Sequence, residues 1–333
     1  MSSNILDELL TPVRKTLDNV GVDFNLLTIG VTLSALVFPF FLLYIFALSQ
    51  RDDPIPPPLG CRKIGLPGNS NLSDQYSKKY AYGSEQSNAN VWSVKALFVY
   101  PVKSCAGIEV EQSEIVRTGL KYDRQFTLGQ RVTGLPTLEG KVKSEWHVIT
   151  QRTFPRLAKV ETEIWVPDPT APGYSKDAEY VKSEGCVVVR FPFSPDVEFS
   201  IEGLKVYGNI LAARLSGKAE PMVEFRIPFD PPKEHIKKMK YRSEEVKIWK
   251  DTPLALDMGC EVPADIMDKL RYTLGVANPL TLFRINTAKY RKVFMCAPKE
   301  KDVGFQPIIG MSDSVCLFAL PSWCSLFRKA KIY

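Results

Sequence analysis

The chain has 333 residues, with 43 Lys and Arg against 37 Asp and Glu, a formal net charge of +6, and 45% apolar content. Such a composition excludes a disordered or collagen-like chain, and so small and dispersed a surplus of charge makes no case for nucleic acid. The length allows one large or two modest domains, and the seven cysteines (Cys61, Cys105, Cys186, Cys260, Cys296, Cys316, Cys324) are odd in number, widely spaced and without a CxxC pair. They read as reduced thiols, not as a disulfide framework or a zinc site.

Residues 1–25 form an amphipathic tail, in which Ile5, Leu6, Leu9, Leu10, Val13, Leu17 and Val20 fall near helical spacing. A helix on a membrane surface and a solvated helical tail both fit that spacing. Residues 26–48 are an uncharged apolar run, LLTIGVTLSALVFPFFLLYIFAL, about 34 Å long as a helix and so able to cross a bilayer core. Asp7, Glu8, Asp18 and Asp23 against Arg14 and Lys15 argue against a cleaved signal peptide and a mitochondrial transit peptide. The flanking cations differ by one charge and do not orient the span. The free cysteines downstream place the large C-terminal part in the reducing cytosol.

Residues 49–90 are rich in Pro, Gly and Ser and read as a tether without a periodic apolar face. From residue 91 the texture becomes short β-type runs, Val94–Tyr100, Gln125–Thr127, His147–Thr150, Leu157–Val160, Cys186–Phe191 and Val246–Trp249, separated by Gly and Pro. The stretch 164–184, with Pro167, Pro169, Pro172 and Gly173, reads as an exposed loop. One helix is well marked, with Pro263 at its start, Met267, Leu270 and Leu274 on one face, and Gly275 as its stop. The fold class expected is α+β, mainly β: a barrel domain following a single-pass transmembrane helix.

Neither GxGxxG nor GxxxxGK[ST] occurs, which leaves a dinucleotide fold and a P-loop without support. His147 and His235 are the only histidines, so a histidine-rich metal site is excluded and a Ser/His/Asp triad has two possible bases. The most suggestive stretch is Tyr100-Pro-Val-Lys-Ser-Cys105, followed by Gly119-Leu-Lys-Tyr-Asp-Arg-Gln-Phe126. A strand ending in a Pro turn, with Lys103 and Ser104 just past it and Arg124 on a later strand, is able to bring a cation fork and a hydroxyl to one anionic group. On spacing alone, a solvated barrel rim accounts for the same residues. Cys105 has no local base and reads as a bystander thiol.

YPVKSC, GLKYDRQF and Thr150-Gln-Arg-Thr-Phe-Pro-Arg-Leu157 resemble the N-terminal β-barrel domain of MOSC proteins, the group that includes the mitochondrial amidoxime-reducing component. Ile248-Trp-Lys-Asp251, Asp257-Met-Gly259 and Gly310-Met-Ser-Asp-Ser314 are similar to the MOSC domain proper, named for the molybdenum cofactor sulfurase C-terminus. The resemblance implies a division into 91–245 (N-terminal barrel), 246–320 (partial MOSC domain) and 321–333 (divergent tail). It implies a molybdenum cofactor (molybdopterin) held by Lys103, Ser104 and Arg124 on one side and Asp313 and Ser314 on the other, with Arg152 and Arg156 as weaker candidates. It further implies reduction of N-hydroxylated compounds, electrons from a cytochrome b5-type partner, and the mitochondrial outer membrane, while the acid-containing N-terminus fits the endoplasmic reticulum as well.

Relatives carry a further stretch with the molybdenum-ligating cysteine, whereas this chain runs twenty residues beyond Asp313. The expectation is therefore a truncated or altered product, either a cofactor-binding reductase or a non-catalytic remnant, with Cys316, Cys324, Cys260 or Cys296 as the thiols to test for metal ligation. Pyridoxal phosphate attaches to the chain only through family membership, because an aminotransferase-type domain has no place in residues 1–91.

Overall fold

The computed structural model describes residues 26–49, 55–74, 76, 96–136, 140, 142–196, 200–217, 220–293 and 299–313. It divides into two compact units, one made of residues 1–54 and 194–221, the other of 55–193 and 222–333. In the smaller unit, helix α1 (Leu26–Ser49) contains Pro39 and no charged residue. Its side chains are described over residues 30–44, and every one of them is exposed. Among the described residues, no helix is long and apolar enough to cross a membrane.

The larger unit opens with strand β1 (Cys61–Ile64), which lies inside the stretch read as a tether. Two short hairpins follow, β2 (Leu97–Val99) with β3 (Ile108–Val110), and β4 (Ile115–Val116) with β5 (Gly119–Leu120). Then come β6 (Phe126–Thr133), β7 (Ser144–Val148), β8 (Glu161–Pro167), the single turn α2 (Glu179–Lys182) and β9 (Cys186–Pro192). Helix α3 (Ile201–Leu215) belongs to the smaller unit. After it the chain returns through β10 (Met222–Pro228), α4 (Lys233–Met239), β11 (Arg242–Lys247), β12 (Leu254–Asp257), α5 (Ala264–Leu274) and β13 (Leu280–Ile285). The last described elements are β14 (Arg291–Lys292), α6 (Glu300–Val303) and β15 (Ile308–Ile309).

Two sheets organise this unit: an antiparallel sheet in the order β1-β8-β9-β10, and a closed five-stranded barrel β11-β12-β13-β6-β7. The barrel closes through the parallel pair β11 and β7, Val246 opposite Trp146, while its other pairings are antiparallel. Its strands come from both sides of position 245. A mixed α/β architecture with a β-barrel is thus what the chain adopts.

Every residue of β13 is buried. Leu280 and Leu282 join the core shared with Phe126, Val187, Val189, Phe191, Ile227 and the α5 residues Met267, Leu270 and Leu274. Phe283 and Ile285, on the opposite face, pack with Val246, Ile248, Ala255 and Met311. A strand covered on both faces shows no polar alternation, which is why β13 escapes a period-two reading. Each fully buried Phe or Ile contributes roughly 1.5–3 kcal/mol.

The expected helix is α5, preceded by Pro263 and stopped by Gly275 at φ 71°. The run Leu157–Val160 is not a strand: Pro155 opens a 3-10 turn over Pro155–Lys159, because its fixed φ and missing N–H suit a helical start. The stretch 164–184 is not one exposed loop either, since β8 reaches Pro167 and its Ile164 is buried opposite Val187.

Candidate functional site

A cationic cluster forms where the chain leaves β2 and enters β6. Arg124 N–H donates to the Tyr100 carbonyl at 2.6 Å, Phe126 N–H to Pro101 at 3.0 Å, and Lys103 N–H to Phe126 at 2.8 Å. Asp123 Oδ1 accepts the Tyr100 N–H at 2.9 Å. The lacing bends the backbone into the left-handed region at Ser104 (φ 67°), Tyr122 (71°) and Arg124 (46°), and Trp249 (56°) shares it. Four such residues without glycine represent strain of order 1–3 kcal/mol each, the kind that accompanies binding sites.

Segment 310–313 seals one side. Met311 N–H donates to the Arg124 carbonyl at 2.8 Å. Gly310 sits so close that a Cβ there would lie 2.7 Å from the same oxygen. Pairing of β14 with β15 sets Arg291 opposite Ile309, and its guanidinium donates to Asp251 Oδ2 at 2.6 Å and to the Ser312 carbonyl at 2.6 Å.

Lys103, only 4% exposed, ion-pairs with Asp313 Oδ1, which also accepts from Trp249 Nε1 at 3.0 Å. Arg152 stacks over the Trp249 ring at 5.3 Å and Arg124 over the Tyr100 ring at 5.1 Å. Arg124 also donates to Asp123 Oδ2 at 2.6 Å. Burial pushes the Lys103 ammonium below its ordinary value; Asp313 opposes that, while Arg124 and Arg291 add to it. For Asp313, burial works to raise the carboxyl, but Lys103, Trp249 and Arg152 together hold it below the usual carboxylate range. Among the described residues, four cations, Lys103, Arg124, Arg152 and Arg291, face three carboxylates, Asp123, Asp251 and Asp313. A local surplus of donors beside two flat aromatic rings suits an anionic, ring-bearing ligand.

Of the residues expected from sequence, Lys103, Arg124, Asp313 and Arg152 come together, and Ser104 adjoins Lys103. Ser314 lies outside the described residues, as do Cys296, Cys316 and Cys324. Arg156 does not join the cluster; it donates to the Thr273 carbonyl at 3.0 Å and ties the 3-10 turn to α5. Arg291, Trp249 and Asp251 were not among the expected site residues. The one available signal was Trp249 and Asp251 within IWKD, whereas Arg291 needs the β14 and β15 pairing to be placed. Burial pushes the thiols of Cys105 and Cys186 up to about 12. Cys61 and exposed Cys260 are also raised by burial.

Glu179, His235 and Glu261 bring ligating atoms within 4.8 Å of one another elsewhere in the unit. His235 engages both ring nitrogens there, Nε2 with Glu261 at 2.7 Å and Nδ1 with Glu179 at 3.8 Å. Tyr241 also donates to Glu261, at 2.6 Å. The group clamps α2, α4 and the turn after β12 together.

Residues 91–207 match the MOSC N-terminal beta barrel domain. The matched segment contains Lys103, Ser104, Arg124 and Arg152, while Trp249, Arg291 and Asp313 lie beyond it. Over 71 residues the chain is 34% identical to the molybdenum cofactor sulfurase of Arabidopsis thaliana, a match covering 21% of this chain and 7% of that protein. The aligned part is therefore a small fraction of that relative's length.

Proposed function

We propose that the MOSC-type unit binds a molybdenum cofactor, with Lys103, Arg124, Arg152 and Arg291 receiving its phosphate and Tyr100 and Trp249 flanking its ring system. The observation that carries this reading is the meeting of Lys103 and Arg124 with segment 310–313 on a left-handed backbone. Ser104 and Ser314 belong to the same proposed lining. A phosphate reaching Lys103 takes over the contact that Asp313 holds, so Asp313 acts as the exchangeable anion of the site. When bound, the cofactor supplies the redox centre of a reductase. The residues here supply charge, orientation and exclusion of water.

The full reading is a membrane-anchored protein related to reductases of N-hydroxylated compounds. Residues 26–48 are its anchor, the C-terminal part is cytosolic, a cytochrome b5-type protein is its electron donor, and the membrane is that of the mitochondrial surface or the endoplasmic reticulum. Support for the anchor is the uncharged 23-residue apolar run. A second reading, a cofactor-binding module without turnover, is favoured by the burial of Cys61, Cys105 and Cys186, which leaves Cys260 as the exposed thiol among the described residues.

The deciding experiment measures molybdenum and pterin per chain in full-length protein made in a host that synthesises the cofactor. About one of each is expected for the wild type, with loss in Lys103→Ala and Arg124→Ala. Unchanged retention in both variants removes the cationic cluster from the binding site. Cys316→Ser and Cys324→Ser then separate the two readings, since a ligating thiol abolishes turnover when removed.

A further inference from the structure

Strands β9 and β10 are hydrogen-bonded neighbours from Cys186 opposite Pro228 to Pro192 opposite Met222, yet residues 193–221 intervene where a short turn would close the hairpin. Helix α3 occupies the middle of that insertion. Ser200 Oγ caps it by accepting the Gly203 N–H at 3.0 Å. It shares the smaller unit with α1 and packs against it. Gly208 and Ala212 are buried, whereas Tyr207, Leu211 and Leu215, spaced four apart and so on one stripe, are 52%, 37% and 48% exposed. Arg214 flanks the stripe, and exposed Lys205 lies off it, about 120° round the helix from Leu211. The MOSC N-terminal match stops at residue 207, leaving Leu211, Arg214 and Leu215 outside it.

An apolar stripe next to a helix whose described side chains are all exposed and uncharged is costly in water and favourable against acyl chains. We propose that α3 is a second membrane contact, lying in the interfacial plane with Tyr207, Leu211 and Leu215 toward the acyl chains and Arg214 at headgroup level. The inference rests on the reading of α1 as the anchor, with which α3 is continuous in one unit. It assigns the insertion between β9 and β10 the task of fastening the protein at two points. One fastening fixes only a position, while two also restrict rotation about the anchor.

Site-directed lipid crosslinking tests this in the full chain, reconstituted in phosphatidylcholine and phosphatidylserine vesicles containing an alkyne-tagged lipid. A benzophenone amino acid replaces Leu211, Leu215, Lys205 or, in α1, Leu36. The expected result is lipid labelling at Leu36, Leu211 and Leu215 several-fold above that at Lys205. Labelling at Leu36 with Leu211 and Leu215 no higher than Lys205 overturns the α3 contact and leaves the anchor standing. Labelling at Leu211 and Leu215 without Leu36 supports the α3 contact and overturns the anchor, and background at all positions overturns both. As a second readout, the Leu211→Glu, Leu215→Glu chain with the benzophenone at Tyr207 keeps the barrel's thermal transition, since both substituted side chains are exposed, stays on the vesicle through α1, and loses lipid labelling at Tyr207. Undiminished labelling at Tyr207 counts against the proposal.

Discussion

Two places in the larger unit have a tryptophan indole donating to a carboxylate that a lysine also holds, and they differ in the backbone beneath. In the β1-β8-β9-β10 sheet, Glu163 accepts from Trp165 Nε1 at 3.0 Å, from Lys63 at 2.5 Å and from Arg190 at 2.5 Å. Arg190 passes on to Glu224 at 2.7 Å, and Glu224 to Arg226 at 2.9 Å. Strand pairing brings these groups together: Lys63 lies opposite Trp165, Glu224 opposite Arg190, and Glu163 two residues along β8 from Arg190's partner Glu161. At the cationic cluster the corresponding pair, Lys103 and Asp313, is held by left-handed residues and a segment far away in sequence. Charges matched on regular strands need nothing further, and charges gathered on a strained loop retain a capacity to exchange partners. The contrast separates a structural network from a candidate binding site better than the charges do.

The largest expected effect breaks the sheet side. Gly185 lies at φ 117°, and a Cβ there would stand 2.2 Å from the Trp165 carbonyl oxygen, so Gly185→Ala should cost on the order of 3 kcal/mol in chemical denaturation. A loss under about 1 kcal/mol would mean that β8 and β9 separate readily. Asp313→Asn comes next. It leaves Lys103 buried near Arg124 and Arg291, and, discounted for the 40% exposure of Asp313, should cost about 1–2 kcal/mol. The same variant should bind inorganic phosphate more tightly by calorimetry, because Lys103 no longer has its internal anion; weaker binding would show that Asp313 positions the cation rather than competing for it.

A pH series sharpens the same point. The Asp313 carboxyl is depressed in the folded chain, so its stabilising contribution is present above its unfolded value and lost as pH falls through the lower folded one. The difference in stability between wild type and Asp313→Asn should therefore shrink below about pH 4. A constant difference down to pH 2 would assign the effect to packing. Smallest of all is Lys121→Ala, which removes an exposed pair with Glu114 and should change stability by no more than about 0.5 kcal/mol.

Local chemistry announced part of this architecture in the sequence. Cys186–Phe191 reads as a buried strand because its valines are β-branched and continuous, and α5 reads as a helix through Pro263 and Gly275. What stayed hidden depends on partners distant in the chain. The two-sided burial of β13 hides its period. β1 is a four-residue strand amid breakers and exists by pairing with β8, and the turn at Pro155 replaces a strand that its valine and leucine suggested. At the site, Lys103, Arg124 and Asp313 were legible through motif resemblance. Arg291 is placed only by two-residue strands, which carry no pattern of their own.

The insertion between β9 and β10 also governs how the chain fares while it is being made. β9, with its Val187–Val189 run buried between β8 and β10, is a segment of high β-propensity and low charge that invites pairing with other chains when uncovered. Its partner on one side has already been synthesised, but β10 emerges only after residues 193–221. At typical elongation rates that is roughly two to six seconds during which β9 is an open edge. Early capture of the intervening helix by a lipid surface would shorten the distance over which β10 must search for β9. Placing the insertion at this position thus ties the safety of an aggregation-prone strand to the order of events at the ribosome.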